Sequence, residues 1–150
     1  MVKKVIRVSK KHQVGIEDPF FNRYGGYYSI LDKESGKIIY SFLVGRVPIN
    51  KMSKYMRYSQ EKAVRLYKNL RNMHITSLES RNEEKKQYEG AINGRRFIHS
   101  FSGYQEKGDS FISLAGACFC GDMNSDLAHK IMWLTKTADL IDRFEIVFWK

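Results

Sequence analysis

Tyr27-Tyr28-Ser29-Ile30-Leu31, then Asp32-Lys33-Glu34-Ser35-Gly36, then Lys37-Ile38-Ile39-Tyr40-Ser41-Phe42-Leu43-Val44: this stretch decides the fold class. The first run follows Gly25-Gly26 and is rich in strand formers. The middle run is a polar turn. The third alternates, so that Ile38, Tyr40, Phe42 and Val44 share one face. Two such runs joined by a polar turn read as a β-hairpin.

Beyond the hairpin, Gly45-Arg46-Val47-Pro48-Ile49 breaks the strand. Asn50 suits an N-cap. Met52, Met56, Ala63, Leu66, Leu70 and Met73 then recur at helical spacing through residues 51–73. Lys54, Arg57, Glu61, Arg65 and Lys68 occupy the opposite stripe, which predicts an amphipathic helix with a basic outer face. Ser80 to Lys86 is polar and charged, a solvated loop or a short helix end.

The second half repeats this plan without repeating its residues. Arg96 to Phe101 alternates, with Phe97, His99 and Phe101 on one face; Ser102 to Gly108 turns. Ser110 to Cys120, small and apolar, reads as a longer strand. Gly121 to Ser125 leads into a helix of about residues 125–142 that buries Ala128, Ile131, Met132, Leu134 or Thr135, Ala138 and Ile141. Phe144 to Trp149 reads as a final strand, and Val2 to Val8 as a first one. The expectation is one α+β domain over residues 1–150. It has a mainly antiparallel sheet, two hairpin-helix units and helices on one face of the sheet.

Composition agrees with a single domain. The chain has 150 residues, enough for one core, and 43% of them are apolar. Only two prolines occur, Pro19 and Pro48, and no stretch reads as a linker. Apolar runs are too short for a membrane span, and the N-terminus does not read as a signal peptide. Cys118 and Cys120 are too close to join distant segments, which points to a reducing, cytoplasmic setting.

Charge is unevenly placed. Residues 1–75 hold sixteen Lys/Arg against five Asp/Glu, and residues 76–150 hold ten against eleven. A net +10, with +11 in the first half and −1 in the second, suggests an anionic partner: nucleic acid, nucleotide, membrane surface or acidic protein. The competing reading is a basic surface that only keeps the chain soluble.

No motif fixes a reaction, although an enzyme remains open because active sites assemble from residues distant in sequence. The chain lacks a phosphate-binding glycine loop, a dinucleotide fingerprint and a serine elbow. His74-Ile75-Thr76 has the form of one half of a two-histidine phosphoesterase, but His99-Ser100-Phe101 does not supply the other half. A cationic side chain at a helix end explains His74 better. Asp122-x-Asn124-x-Asp126 begins like a calcium loop, yet Leu127 and Trp133 stand where glycine and glutamate are needed. A helix cap at Asn124, Ser125 or Asp126 explains those residues. Cys118 and Cys120 would share one strand face, but no second Cys/His pair completes a metal site. They read as buried, apolar-like cysteines.

Two surfaces remain as binding candidates. His99, between Phe97 and Phe101, would line an apolar pocket and offer an imidazole to a haem iron or to a ligand's polar group. The plainer alternative is a core histidine satisfied by backbone. The basic helix offers an anion site at its N-terminus, near Arg46 and Asn50. Along its length, Tyr55, Tyr58 and Tyr67 interleave with Lys54, Arg57, Arg65 and Lys68, as in proteins that stack bases. Tyrosines packed at the core boundary are the competing reading.

Tyr28-Ser29-Ile30-Leu31-Asp32, Ser35-Gly36-Lys37-Ile38-Ile39-Tyr40 and a helix carrying Glu61-Lys62-Ala63 together resemble the first half of the GlcG/HbpS-like haem-binding family. The second half of that family carries a hairpin ending in a Ser-Gly step and an acidic residue opening the last helix. Phe101-Ser102-Gly103 with Asp109 is similar to this, and so is Phe119-Cys120-Gly121 with Asp126. The family's N-terminal helix, Gly-Gly-x-Pro step and acidic surface have no counterpart here. The resemblance implies a profilin-like sandwich, a homo-oligomer, and a pocket for haem, another tetrapyrrole or a similar small molecule.

The expected function is a non-enzymatic module for a small ligand or anion, with Arg46, Asn50, Lys62, Phe97, His99 and Phe101 as ligand-binding candidates. A nucleic-acid or nucleotide-binding accessory protein is the alternative, acting through Lys54, Arg57, Tyr58, Arg65 and Lys68. A small inhibitor docking on an acidic protein is a third.

Overall fold

The computed structural model describes residues 22–143. The hairpin forms as expected, with β1 at Tyr24–Asp32 and β2 at Lys37–Arg46. Asp32 organises its turn, the carboxylate accepting from the Ser35 N–H at 3.0 Å and the Ser35 hydroxyl at 2.7 Å. Gly36 closes the turn at a φ of 68°, a region that favours glycine. Helix α1 follows at Ile49–Lys68, then two short 3₁₀ turns at Leu70–Asn72 and Ser77–Ser80. The second hairpin is β3, Ala91–Asn93, with β4, Phe97–Ser102; after it come α2 (Glu106–Phe119), α3 (Ser125–Thr135) and α4 (Ala138–Arg143). The sheet order is β2-β1-β4-β3 and every pairing is antiparallel. The protein is therefore an α+β fold built from two hairpin-helix units.

Helices cover both faces of the sheet, not one. On one face α1 packs Ala63 and Leu66 against Leu31, Ala91 and Ile98. On the other, α2 packs Phe111, Ile112 and Ala115 against Tyr28, Val44 and Phe101. The reason lies in β4, where Ile98, His99, Ser100 and Phe101 are all buried although neighbours point to opposite sides. Alternation marks one apolar face; the small, hydroxylated face of Ser29 and Ser100 is buried as well. Ser29 reaches Ser59 of α1 at 2.7 Å and Ser41 of β2 at 2.8 Å.

The largest departure from expectation is Ser110 to Cys120, which forms the rest of helix α2 and its C-cap, not a strand. Every residue from Gly108 to Ala117 is buried. A helix enclosed on all sides shows no polar stripe, so its period is hidden. The hairpin partner of β4 is instead the three-residue β3, too short to show alternation. Cys118 and Cys120 accordingly share no strand face. They are free thiols at the end of α2, Cys118 partly buried and Cys120 exposed, and burial pushes the Cys118 thiol up to about 12.

Smaller corrections follow from local geometry. Helix α1 ends at Lys68 with Asn69 as C-cap, which takes His74 away from the helix end. Its N-cap is Pro48, extended at ψ 137°, so Asn50 lies inside the first turn. The expected 125–142 helix is broken where Lys136 takes a φ of 54°. Asn124 does cap α3, its side chain accepting from the Leu127 N–H at 2.8 Å. The strands expected at Val2–Val8 and Phe144–Trp149 fall outside the described residues. No helix among the described residues is long and apolar enough to cross a membrane.

Candidate functional site

A cavity of about 950 Å³ opens between α1, the loop before β3, the start of α2 and the end of α3. Its floor is built on Lys62 of α1. One helical turn from the buried Ser59 and Leu66, Lys62 points inward with its side chain 2% exposed. Its ammonium lies 2.7 Å from the Asp109 carboxylate and donates to the Phe101 carbonyl at 3.1 Å. Asp109, in the first turn of α2, also accepts the N–H groups of Gly103 and Tyr104 at 3.1 and 2.7 Å. Burial pushes its carboxyl up to about 6, against the pull of Lys62 and the Tyr104 N–H. Gly90 must be glycine: its φ is 126°, and a Cβ there would lie 2.8 Å from Asp109 Cβ and 2.9 Å from Lys62 Nζ.

Glu89 stands next to this pair on the cavity wall, 7% exposed. Burial, with Glu106 nearby, pushes its carboxyl up to about 7. Glu106 itself is held below its usual range: burial would raise it, but Arg81 and the Glu89 N–H pull it down. Arg81 grips Glu106 with two bonds of 2.7 and 2.8 Å and reaches Glu83 at 2.6 Å.

The walls are aromatic. Tyr58 of α1 and Tyr88 meet edge to face, ring centres 5.8 Å apart, and Tyr55 and Tyr104 also line the cavity. The Lys54 ammonium lies 5.7 Å from the Tyr58 ring centre. At the mouth, Lys51, Lys54 and Lys136 are exposed. The three acidic side chains that line the cleft are Glu89, Glu106 and Asp109, of which Asp109 and Glu106 are already paired with cations. The arrangement therefore offers positive charge at the mouth, ring faces on the walls and a buried ion pair beneath.

The expected site residues separate. Lys54, Tyr58 and Lys62 come together in this cleft. Arg46, at the end of β2, and Asn50, in the first turn of α1, are exposed and do not line it. Arg57 and Lys68 stay on the outer face of α1. Arg65 does not: it is 7% exposed and turns inward, donating to the carbonyls of Ser77 at 2.8 Å, Ser80 at 2.9 Å and Tyr88. An arginine on a polar stripe can thus serve as the anchor of a loop.

Phe97, His99 and Phe101 lie on the α2 side of the sheet. His99 is 1% exposed, its Nδ1 2.9 Å from the Tyr28 hydroxyl and its Nε2 3.0 Å from Asp122. Both nitrogens are occupied, so a bond to a haem iron would have to displace one partner. Burial would raise the Asp122 carboxyl, but His99 and the N–H groups of Arg96 and Phe97 together hold it below its usual range. The Tyr28 hydroxyl is pushed well up by burial.

Sequence reading did not nominate Glu89, Tyr88 or Tyr104. They sit in irregular segments where no periodicity singles them out. Asp109 was visible through the family resemblance alone. Among the described residues, no three His, Cys, Asp or Glu are grouped to hold a metal ion. No protein-family model, curated protein or solved structure matches the chain.

Proposed function

We propose that this chain is a binding module for a small anionic molecule with a planar part, held in the cleft between α1 and α2. The observation that carries the reading is the basic, tyrosine-walled cavity over the buried Lys62–Asp109 pair. Cations at a mouth attract and retain an anion, and ring faces supply stacking surface. The resemblance to the GlcG/HbpS-like family points the same way. Of its two alignments, the one ending on Asp109 is supported by the contact between Lys62 of the Lys-Ala pair and that aspartate. Haemin, a planar dianion, falls within this ligand class without a His99–iron bond. The homo-oligomer belongs to the same proposal, and two free thiols suit the cytoplasm.

The test is a fluorescence titration with 8-anilinonaphthalene-1-sulfonate, and an absorbance titration with haemin. Lys54→Glu and Tyr58→Ala should each weaken binding about tenfold, while Lys68→Glu, outside the cleft, changes it less than twofold. Binding that ignores Lys54→Glu and Tyr58→Ala would sink the proposal, as would no binding by the wild type.

A second reading keeps some support. Lys51, Lys54, Arg57 and Lys68 remain exposed on α1, a surface that suits a polyanion such as nucleic acid or an acidic protein.

A further inference from the structure

Glu89 is an acidic group of the cleft whose carboxyl opens on the cavity and has no protein donor among the described residues. It is 7% exposed on the cavity wall. The charges that face it are engaged elsewhere. From α1, Lys62 serves Asp109 and the Phe101 carbonyl. From the preceding loop, Arg81 serves Glu106 and Glu83. From α2, Asp109 accepts from Lys62 and two backbone N–H groups, and Glu106 accepts from Arg81 and the Glu89 N–H. Its oxygens are not sealed from water, so they remain free to accept from a ligand that enters the cleft. Two open carboxylate oxygens match two parallel N–H donors.

We propose that the ligand is a planar nitrogen heterocycle with an adjacent pair of N–H donors on one edge, read by Glu89, and a phosphate or carboxylate tail directed to Lys51, Lys54 and Lys136. This rests on the anion-binding reading of the cleft. Guanine and pterin rings share such an edge, so a guanine nucleotide and a folate-type molecule are the two sources. Tyr58 and Tyr88 lie on the same cavity wall system as Glu89 and offer the ring surfaces.

The arrangement has a pH signature. Glu89 must be ionised to accept two N–H bonds, and its carboxyl titrates at about 7. A bare anion gains nothing from that charge and is repelled by it. The preference for a heterocycle over its bare tail should therefore rise about tenfold from pH 6 to pH 8, following the ionised fraction.

Calorimetric titrations at pH 6 and pH 8 would compare guanosine 5′-monophosphate with ribose 5-phosphate, and folate with N-(4-aminobenzoyl)glutamate. Each pair differs by the ring that carries the N–H edge. At pH 8 at least one heterocycle should bind tenfold or more tightly than its tail, and which one does so identifies the source. Glu89→Gln, nearly isosteric, should erase the preference at both pH values and tighten tail binding at pH 8, where the wild-type charge repels the tail. A preference that survives in Glu89→Gln, or heterocycles that bind no better than their tails, would overturn the proposal. If the tails still bind in that case, the anion cleft stands; if no probe binds, the cleft reading falls with it.

Discussion

Lys62 and Asp109 form an ion pair whose partners are both nearly closed to water, at 2% and 4% side-chain exposure. Such a pair need not add stability relative to apolar residues, but removing one member leaves a buried charge alone. Asp109→Ala also frees the N–H groups of Gly103 and Tyr104. It should cost about 3–5 kcal/mol in urea unfolding. Glu89 behaves in the opposite sense. Its native carboxyl titrates at about 7, above its ordinary 4.5, so the native state binds the proton more tightly between those values. Stability then falls as pH rises through that window. At about 1.36 kcal/mol per pH unit, Glu89→Gln should be more stable than wild type at pH 8 by up to about 3 kcal/mol. The difference should close towards pH 4.5, which unfolding curves across the range would show. None of this is visible in Tyr88-Glu89-Gly90 as a string, because burial without a donor is a property of surroundings.

At the scale of elements, α2 is the informative case. Gly116 sits mid-helix, where Ala would normally stabilise by about 1 kcal/mol. A Cβ there would lie 2.0 Å from the Tyr28 hydroxyl, whose position is fixed by His99. Packing outweighs propensity, and Gly116→Ala should lower stability by about 1–3 kcal/mol, measured by thermal unfolding. Arg65 joins α1 to the loop that carries Glu89, through a fan of bonds that needs a planar, five-donor group. Arg65→Lys should leave α1 folded but raise amide exchange across residues 77–88 by about tenfold or more. The first hairpin was legible because its polar turn and alternation are local. The hairpin partner of β4 was not, since three residues, Ala91–Asn93, carry no period.

Across the whole molecule, the basic residues of α1 divide into two groups. Lys62 and Arg65 are buried and structural, whereas Lys51, Lys54, Arg57 and Lys68 face water. Reversing these last four to Glu should change stability by little, as exposed charges usually do. It should nonetheless abolish retention on heparin and flatten the salt dependence of any oligonucleotide binding. Unaltered retention would move the polyanion surface away from α1.

The chain by itself determined the α+β class, the leading hairpin, the basic amphipathic helix and a helix cap among residues 124–126. Each depends on residues within a few positions of one another, where period, turn chemistry and capping act. Tertiary structure alone decided that helices cover both faces, that Ser110 to Phe119 coils, and that Arg65 turns inward. It also brought Lys62, Glu89 and Asp109 to one floor. Those outcomes depend on what lies across the sheet or over the loop: a buried helix hides its own period, and a carboxyl's titration follows neighbours distant in sequence.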